Sequence, residues 1–180
     1  MKAIKIAVSG KSGCGNTTVS RMLAEKLGLS FINFTFRALA AERNLSLDEV
    51  LILASQDDSW DREVDRRQVE LARQEKGCVL GSRLAIWMLP EAGLKVYLGA
   101  TPETRAARIV KREGGDLKQV AAFTAERDRQ DRERYLRIYN IDNDDYSSAN
   151  LVIDTDTLTP PEIVSLITRE LEQLKLLETS

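Results

Sequence analysis

Glycines at 10, 13 and 15, followed by Thr17 and Thr18, stand out in the stretch Ile4 to Thr18, IKIAVSGKSGCGNTT. Glycines let a loop curl until its N–H groups converge on one point, and a helix starting just beyond adds partial positive charge there; together they cradle a phosphate. The loop residues Gly10, Lys11, Ser12, Gly13, Cys14, Gly15, Asn16, Thr17 and Thr18 are the candidate cradle, with Thr17 placed to hold Mg2+. A plain tight turn also uses glycines. What favours the phosphate reading is the flanking pattern: an apolar run (Ile4, Ile6, Ala7, Val8) reads as a buried strand, and Val19, Met22, Leu23 and Leu27, closed by Gly28, read as a helix. The usual P-loop carries a lysine after its last glycine. Here Asn16 stands there, and Lys11 is the only cation in the loop.

Arginines supply the second constellation. Arg37 and Arg83 each follow a short apolar stretch that reads as a strand, where a surface salt bridge and a phosphate contact are both open readings. The stretch Glu126 to Arg134, ERDRQDRER, carries arginines at 127, 129, 132 and 134. On a helix, Arg127, Asp131 and Arg134 share one face and Arg129 and Arg132 another. A solvated helix laced with ion pairs is one reading. The other couples it to Arg105, Arg108 and Arg112 on the preceding helical stretch and to a glycine pair at 114–115: an arginine-rich hairpin on a hinge is a lid that closes over a moving phosphoryl group.

The elements that position these groups follow in order. Leu29–Phe34, Cys78–Gly81, Lys95–Leu98 and Leu151–Ile153 join the first strand as short apolar runs. Helical patterns lie between them: Thr35–Asn44, a segment opened by the capping box Ser46 to Glu49, about Asp58 to Lys76, Thr101 to Glu113 and about Asp116 to Tyr139, with a last one opened by Pro160-Pro161. The alternation predicts a three-layer α/β/α fold with a five-stranded parallel sheet, whose ligands sit at the carboxyl ends of the strands. The last residues, about Leu177 to Ser180, are expected to fray.

With 180 residues the chain is expected to be a single domain. A formal charge of −2 argues against a nucleic-acid partner, and no apolar run approaches the roughly 18 residues of a membrane span. Lys2 and Lys5 flank a strand rather than a signal sequence, and Cys14 and Cys78 are too few for a disulfide framework. A cytoplasmic monomer acting on small molecules is expected. There is no histidine, which removes His-based triads and His metal ligation. Chemistry whose nucleophile is already an anion needs no base.

At this point the chain resembles the nucleoside monophosphate kinases, and more closely cytidylate kinase in its compact archaeal-type branch. The segments that carry the resemblance are GKSGCGNTT, FRALAAERNLSLDEV, DREVDRRQ, SRLAIW, ERDRQDRERYLRIYNID and LVIDTD. It implies ATP and Mg2+ as cofactors, CMP or dCMP as acceptor, a helical acceptor-binding insert at about 35–76 and a lid at about 114–139. By position, Arg37, Arg83 and Arg134 would hold the acceptor phosphate, and Arg127 and Asp131 would contact its ribose. Lys11, Arg129 and Arg132 would act on the transferred phosphates. Asp61, Arg62 and Asp65 are the base-reading candidates, because an amino donor beside ring acceptors suits a carboxylate with an arginine. Two departures from the family pattern are Asn16 and the pair Gly81-Ser82, which replaces an acidic residue and glycine before Arg83. They leave open a nucleotide-binding homologue with little turnover. A P-loop kinase acting on a hydroxyl, as shikimate or dephospho-coenzyme A kinase does, is the remaining alternative, and it would lack the strand-end carboxylate at position 81.

Overall fold

A computed structural model describes residues 4–176, so the terminal stretch 177–180 expected to fray lies outside the described residues. Five strands form one parallel sheet: β1 (Lys5–Gly10), β2 (Ser30–Ile32), β3 (Cys78–Gly81), β4 (Leu94–Gly99) and β5 (Leu151–Asp154). Their spatial order is β2-β3-β1-β4-β5, with Val8 beside Gly81 in one register and Gly10 beside Leu98 in the other. The chain leaves β1 toward one side and later returns to fill the other. The crevice at the carboxyl end of β1 is therefore the switch point at which such sheets bind ligands.

Both faces of the sheet are covered, and the strand sequences show why. Ile6 and Val8 point into a core shared with α1 (Asn16–Leu27) and α8 (Pro160–Gln173), through Val19, Leu23, Ile163, Ile167 and Leu171. The intervening Ala7 faces the opposite core with Val69 and Ala72 of α4 (Ser59–Gln74) and Ile86 of the short α5 (Ala85–Met88). With apolar residues on both faces, the strands are near-continuous hydrophobic runs rather than alternating ones. A smaller cluster of Phe34, Leu39 and Val64 joins α2 (Phe36–Arg43) to α4, with α3 (Leu47–Gln56) between them in sequence.

The helix boundaries follow their caps. Thr35 accepts from Ala38 N–H to start α2, and Ser46 with Glu49 forms the anticipated capping box of α3. Thr101 caps α6 (Pro102–Glu113), which Pro102 opens, and Asp116 caps the 23-residue α7 (Leu117–Tyr139). Between these two helices Gly114 and Gly115 both adopt positive φ, at 81° and 103°. One local reading changes. β2 is shorter than Leu29–Phe34 because Asn33 turns to donate to the Gly81 carbonyl and Phe34 enters the α2–α4 cluster. The apolar patch after Arg83 folds as α5. No helix among the described residues is long and apolar enough to cross a membrane.

Candidate active site

A cleft of about 850 Å3 opens at the carboxyl end of β1. Its floor is the glycine loop. Gly10 has no room for a side chain, since a Cβ would lie 2.7 Å from the Leu98 carbonyl oxygen. Gly13 and Gly15 hold φ of 86° and 90°, the left-handed region that glycine enters without steric cost. Gly15 is the N-cap of α1 and no side chain among the described residues caps that helix, which leaves its first-turn N–H groups open at the cleft floor. Thr17 and Thr18 are exposed there. The Cys14 side chain turns into the core instead, where burial pushes its thiol pKa up.

The loop is held from behind by α6. Arg105, buried, donates to the Ser12 carbonyl at 3.2 Å and pairs with Asp128 at 2.6 Å. Arg108 donates to the Gly13 carbonyl at 3.4 Å and to both the carbonyl and the hydroxyl (3.0 Å) of Thr155. The Ser12 and Gly13 carbonyls are thereby drawn toward α6, and the Cys14 N–H is engaged by the Lys11 carbonyl at 3.1 Å. This corrects the reading of Arg105 and Arg108 as lid arginines: they brace the cradle. Arg112 is exposed at the cleft rim and paired with Glu113.

Above the loop the arginines converge. Arg83, just beyond β3, donates to Ser12 Oγ at 2.8 Å and pairs with Asp131 at 2.9 Å. The other oxygen of Asp131 accepts from Arg134 at 2.8 Å, and Arg134 in turn lies 3.1 Å from Asp61. Asp131 is only 5% exposed, so it is a shared counter-ion under two guanidinium groups rather than a surface charge. Arg127, one turn earlier on α7, lines the same cleft and has no ion-pair partner among the described residues. Loss of water and the neighbouring Arg83 both lower its pKa, although it stays a cation. Arg37 is exposed on the first turn of α2 and completes the cationic lining.

Not every candidate reaches the cleft. Arg62 is exposed and lies over the Tyr139 ring at 5.7 Å, while Asp61 and Asp65 do line it. Burial raises the pKa of both carboxyls, that of Asp65 to about 6 against the opposing pull of the Tyr139 hydroxyl 2.7 Å away. Arg129 and Arg132 stand apart from the cleft on exposed positions of α7: Arg129 is clasped by Glu126 and Glu133, and Arg132 by Asp142 at 2.6 Å. Lys11 reaches the cleft but pairs with Asp144 at 2.5 Å. Gln68, Tyr139, Asn33 and Asp144 escaped the sequence reading, since their partners are more than a few residues away or in other elements; only the i, i+3 spacing of Asp65 and Gln68 was visible.

Asn16 has a defined structural use. Its amide nitrogen donates at 3.1 Å to the carbonyls of Val8 and of Ser82, and its oxygen accepts from Ser20 Oγ at 2.9 Å. It staples the carboxyl ends of β1 and β3. Gly81 fits the same packing, since a Cβ there would lie 2.6 Å from Ser20 Oγ. The two departures from the usual pattern are therefore one local arrangement.

A divalent ion would find Thr17 exposed at the start of α1 but no cluster of three or more acidic or thiol side chains among the described residues. That donor set fits Mg2+ bound mainly through ligand phosphates and water, the usual mode for this hard and reluctantly dehydrated ion.

A family model described as "Cytidylate kinase-like family" matches residues 5–157. The chain is 49% identical over 177 residues to cytidylate kinase 2 of Borreliella afzelii, covering 96% of this chain and 99% of that one. It is 38% identical over 175 residues to cytidylate kinase of Archaeoglobus fulgidus, covering 96% and 97%. Among solved structures, shikimate kinase from Acinetobacter baumannii in complex with shikimate superposes with a TM-score of 0.66 at 19% identity, covering 98% and 97% of the two chains. Deoxyadenosine kinase from M. mycoides gives 0.58 at 16%, covering 94% and 100%. At those identities the structural likeness speaks to the fold.

Proposed function

The chain belongs to the cytidylate kinase-like family, and on that premise we propose that it transfers the γ-phosphoryl group of ATP to CMP or dCMP, yielding ADP and the nucleoside diphosphate. The observation that carries the reading is the convergence of Arg83, Arg127 and Arg134, from two separate elements, over the mouth of the glycine loop. The loop N–H groups and the α1 N-terminus bind the donor phosphates. Arg83, Arg127 and Arg134, with Arg37, bind the acceptor phosphate. That phosphate is largely dianionic near neutral pH, so its oxygen attacks the γ-phosphorus without a general base, and ADP leaves from the opposite side. Catalysis is positioning and charge neutralisation.

Mg2+, when bound with ATP, supplies further neutralisation of the phosphate charge, and Thr17 is the residue that would hold it. Arg129 and Arg132 belong to the proposed lid, about 114–139. To reach the phosphates they must exchange their present carboxylate partners for phosphate oxygens, a like-for-like swap of anions.

The test is coupled ADP release with ATP and Mg2+ against CMP, dCMP, UMP, AMP and shikimate, with Arg127→Ala alongside. Turnover confined to the cytidine nucleotides, and lost in the variant, is the expected result. Asn16 stands in place of the usual loop cation and is committed to Val8 and Ser82, which favours one second reading: nucleotide binding with little turnover. Tight CMP and ATP binding without ADP release would establish it.

A further inference from the structure

We infer that the side-chain carbonyl of Gln68 selects an aminopyrimidine over an oxopyrimidine ring in the acceptor pocket, and that Asp65 and Tyr139 are positioning residues that hold it in that sense. The inference rests on the acceptor reading above, in which the nucleotide phosphate lies against the cleft arginines.

Gln68 lines the cleft from α4 and is 5% exposed. Its Oε1 is buried and has no hydrogen-bond partner among the described residues. An unpaired buried carbonyl is costly, and a ligand donor would remove that cost. The amide orientation is not free. Gln68 Nε2 donates to Asp65 Oδ1 at 3.4 Å, and Asp65 Oδ2 accepts from the Tyr139 hydroxyl at 2.7 Å. An ionised carboxylate only accepts, so the amide nitrogen must face Asp65 and the carbonyl oxygen is left without a protein donor among the described residues, at the cleft wall that Gln68 lines. Asp65, a direct base-reading candidate in the sequence, has both oxygens engaged within the protein.

The surroundings suit a ring. Val64, one turn before Gln68, belongs to the apolar cluster of Phe34 and Leu39, with Phe36 packed against it. A flat base arriving there meets apolar surface beside a fixed acceptor. Cytosine presents an amino donor at the ring position where uracil presents a carbonyl acceptor. Gln68 Oε1 pairs with the first and opposes the second.

Gln68→Leu removes the acceptor and leaves an apolar side chain one bond shorter, and the measurement is calorimetric binding of CMP and of UMP together with turnover of each. The expected result is a loss of about 10- to 100-fold in CMP affinity, with UMP affinity unchanged or improved, so that the CMP:UMP ratio collapses. In Asp65→Asn the neighbour can donate as well as accept, the Gln68 amide is free to turn, and UMP binding improves. A pH series supplies a readout that a purely structural role would not move. Asp65 is faced by Tyr139 and Arg134 from α7 and by Asp61 on its own helix. As it gains a proton the hold on Gln68 relaxes, and the wild-type CMP:UMP ratio falls toward acid while that of Asp65→Asn stays flat. The ratio cancels the titration of the nucleotide phosphates, which is common to both ligands.

A folded Gln68→Leu protein that keeps the wild-type ratio overturns the inference. Where that variant does not fold, an unchanged ratio in Asp65→Asn overturns it equally. A wild-type protein that prefers CMP in binding but never phosphorylates it overturns the kinase reading and leaves Gln68 as the selector; one that binds CMP and UMP alike overturns the role of Gln68.

Discussion

Asp131 holds Arg83 and Arg134 at hydrogen-bond distance while itself almost fully buried, and that geometry makes each guanidinium a directional fork rather than a diffuse charge. Lysine at position 83 keeps the charge but cannot bridge Ser12 and Asp131 together. Arg83→Lys is expected to lower kcat/KM for CMP by about 10²- to 10³-fold with little change in Tm, measured by steady-state kinetics beside thermal melts. Asp65 carries a stability cost of the opposite kind. Its folded pKa of about 6 lies above the ordinary carboxylate value of 3.8, so the folded protein holds this proton more tightly than the unfolded chain does. The resulting stabilisation is present in full below about pH 4 and is lost as pH rises through about 6, a change on the order of 2–3 kcal/mol. Asp65→Asn is therefore expected to raise Tm at pH 8 and to flatten the Tm–pH curve between pH 4 and 6; an unchanged or lower Tm at pH 8 would count against burial as the cause.

At the scale of elements, β1, β3 and α1 meet through Asn16, Ser20 and Gly81 with no spare volume. Restoring an acidic residue at 81 drives its Cβ into Ser20 Oγ, 2.6 Å from where it would stand. Gly81→Asp is thus expected to destabilise the fold by about 1–3 kcal/mol, read by denaturant titration, and to lower activity rather than raise it. The α6–α7 junction has its own signature. Gly114 combines φ 81° with ψ −169°, a region essentially closed to other residues. A Cβ there meets nothing among the described residues within 4 Å, so the penalty of Gly114→Ala is backbone strain. The expected outcome is a loss of about 1–3 kcal/mol in stability and a several-fold drop in kcat with KM for CMP little changed, if this junction is the hinge of the proposed lid. A kcat equal to wild type would remove the hinge from that account.

Across the whole molecule, the loop between α7 and β5 supplies carboxylate partners to cations of the proposed donor site. Asp144 pairs with Lys11 and Asp142 with Arg132, two cations that the family resemblance would place on the transferred phosphates. On the proposed assignment, ATP displaces these carboxylates before it gains the cations. Asp144→Asn removes one competitor, and KM for ATP is expected to fall a few-fold, most visibly at low ionic strength where exposed charges are least screened. A KM unchanged at both low and high salt would show that Lys11 does not reach the nucleotide.

Strand, loop and helix succession was legible in the chain because its signals are short-range: apolar period, capping residues such as Ser46 and Asp116, and glycine at Gly15 and Gly28 all act within a turn or two. The same locality revealed the glycine cradle and the shared face of Arg127, Asp131 and Arg134. Which arginine binds what was a tertiary decision. Arg105 and Arg108 look like further lid cations in sequence, yet their partners Ser12, Gly13 and Thr155 lie tens of residues away and turn them into braces. Asn16 looked like a lost cation until Val8 and Ser82 were brought to its two sides, and Gln68 acquired an unpaired carbonyl only because Tyr139, 74 residues beyond Asp65, fixed that carboxylate in place. A charged or amide side chain pairs with whatever the fold sets within about 3 Å of it, and that neighbourhood exists only once the sheet has ordered its strands.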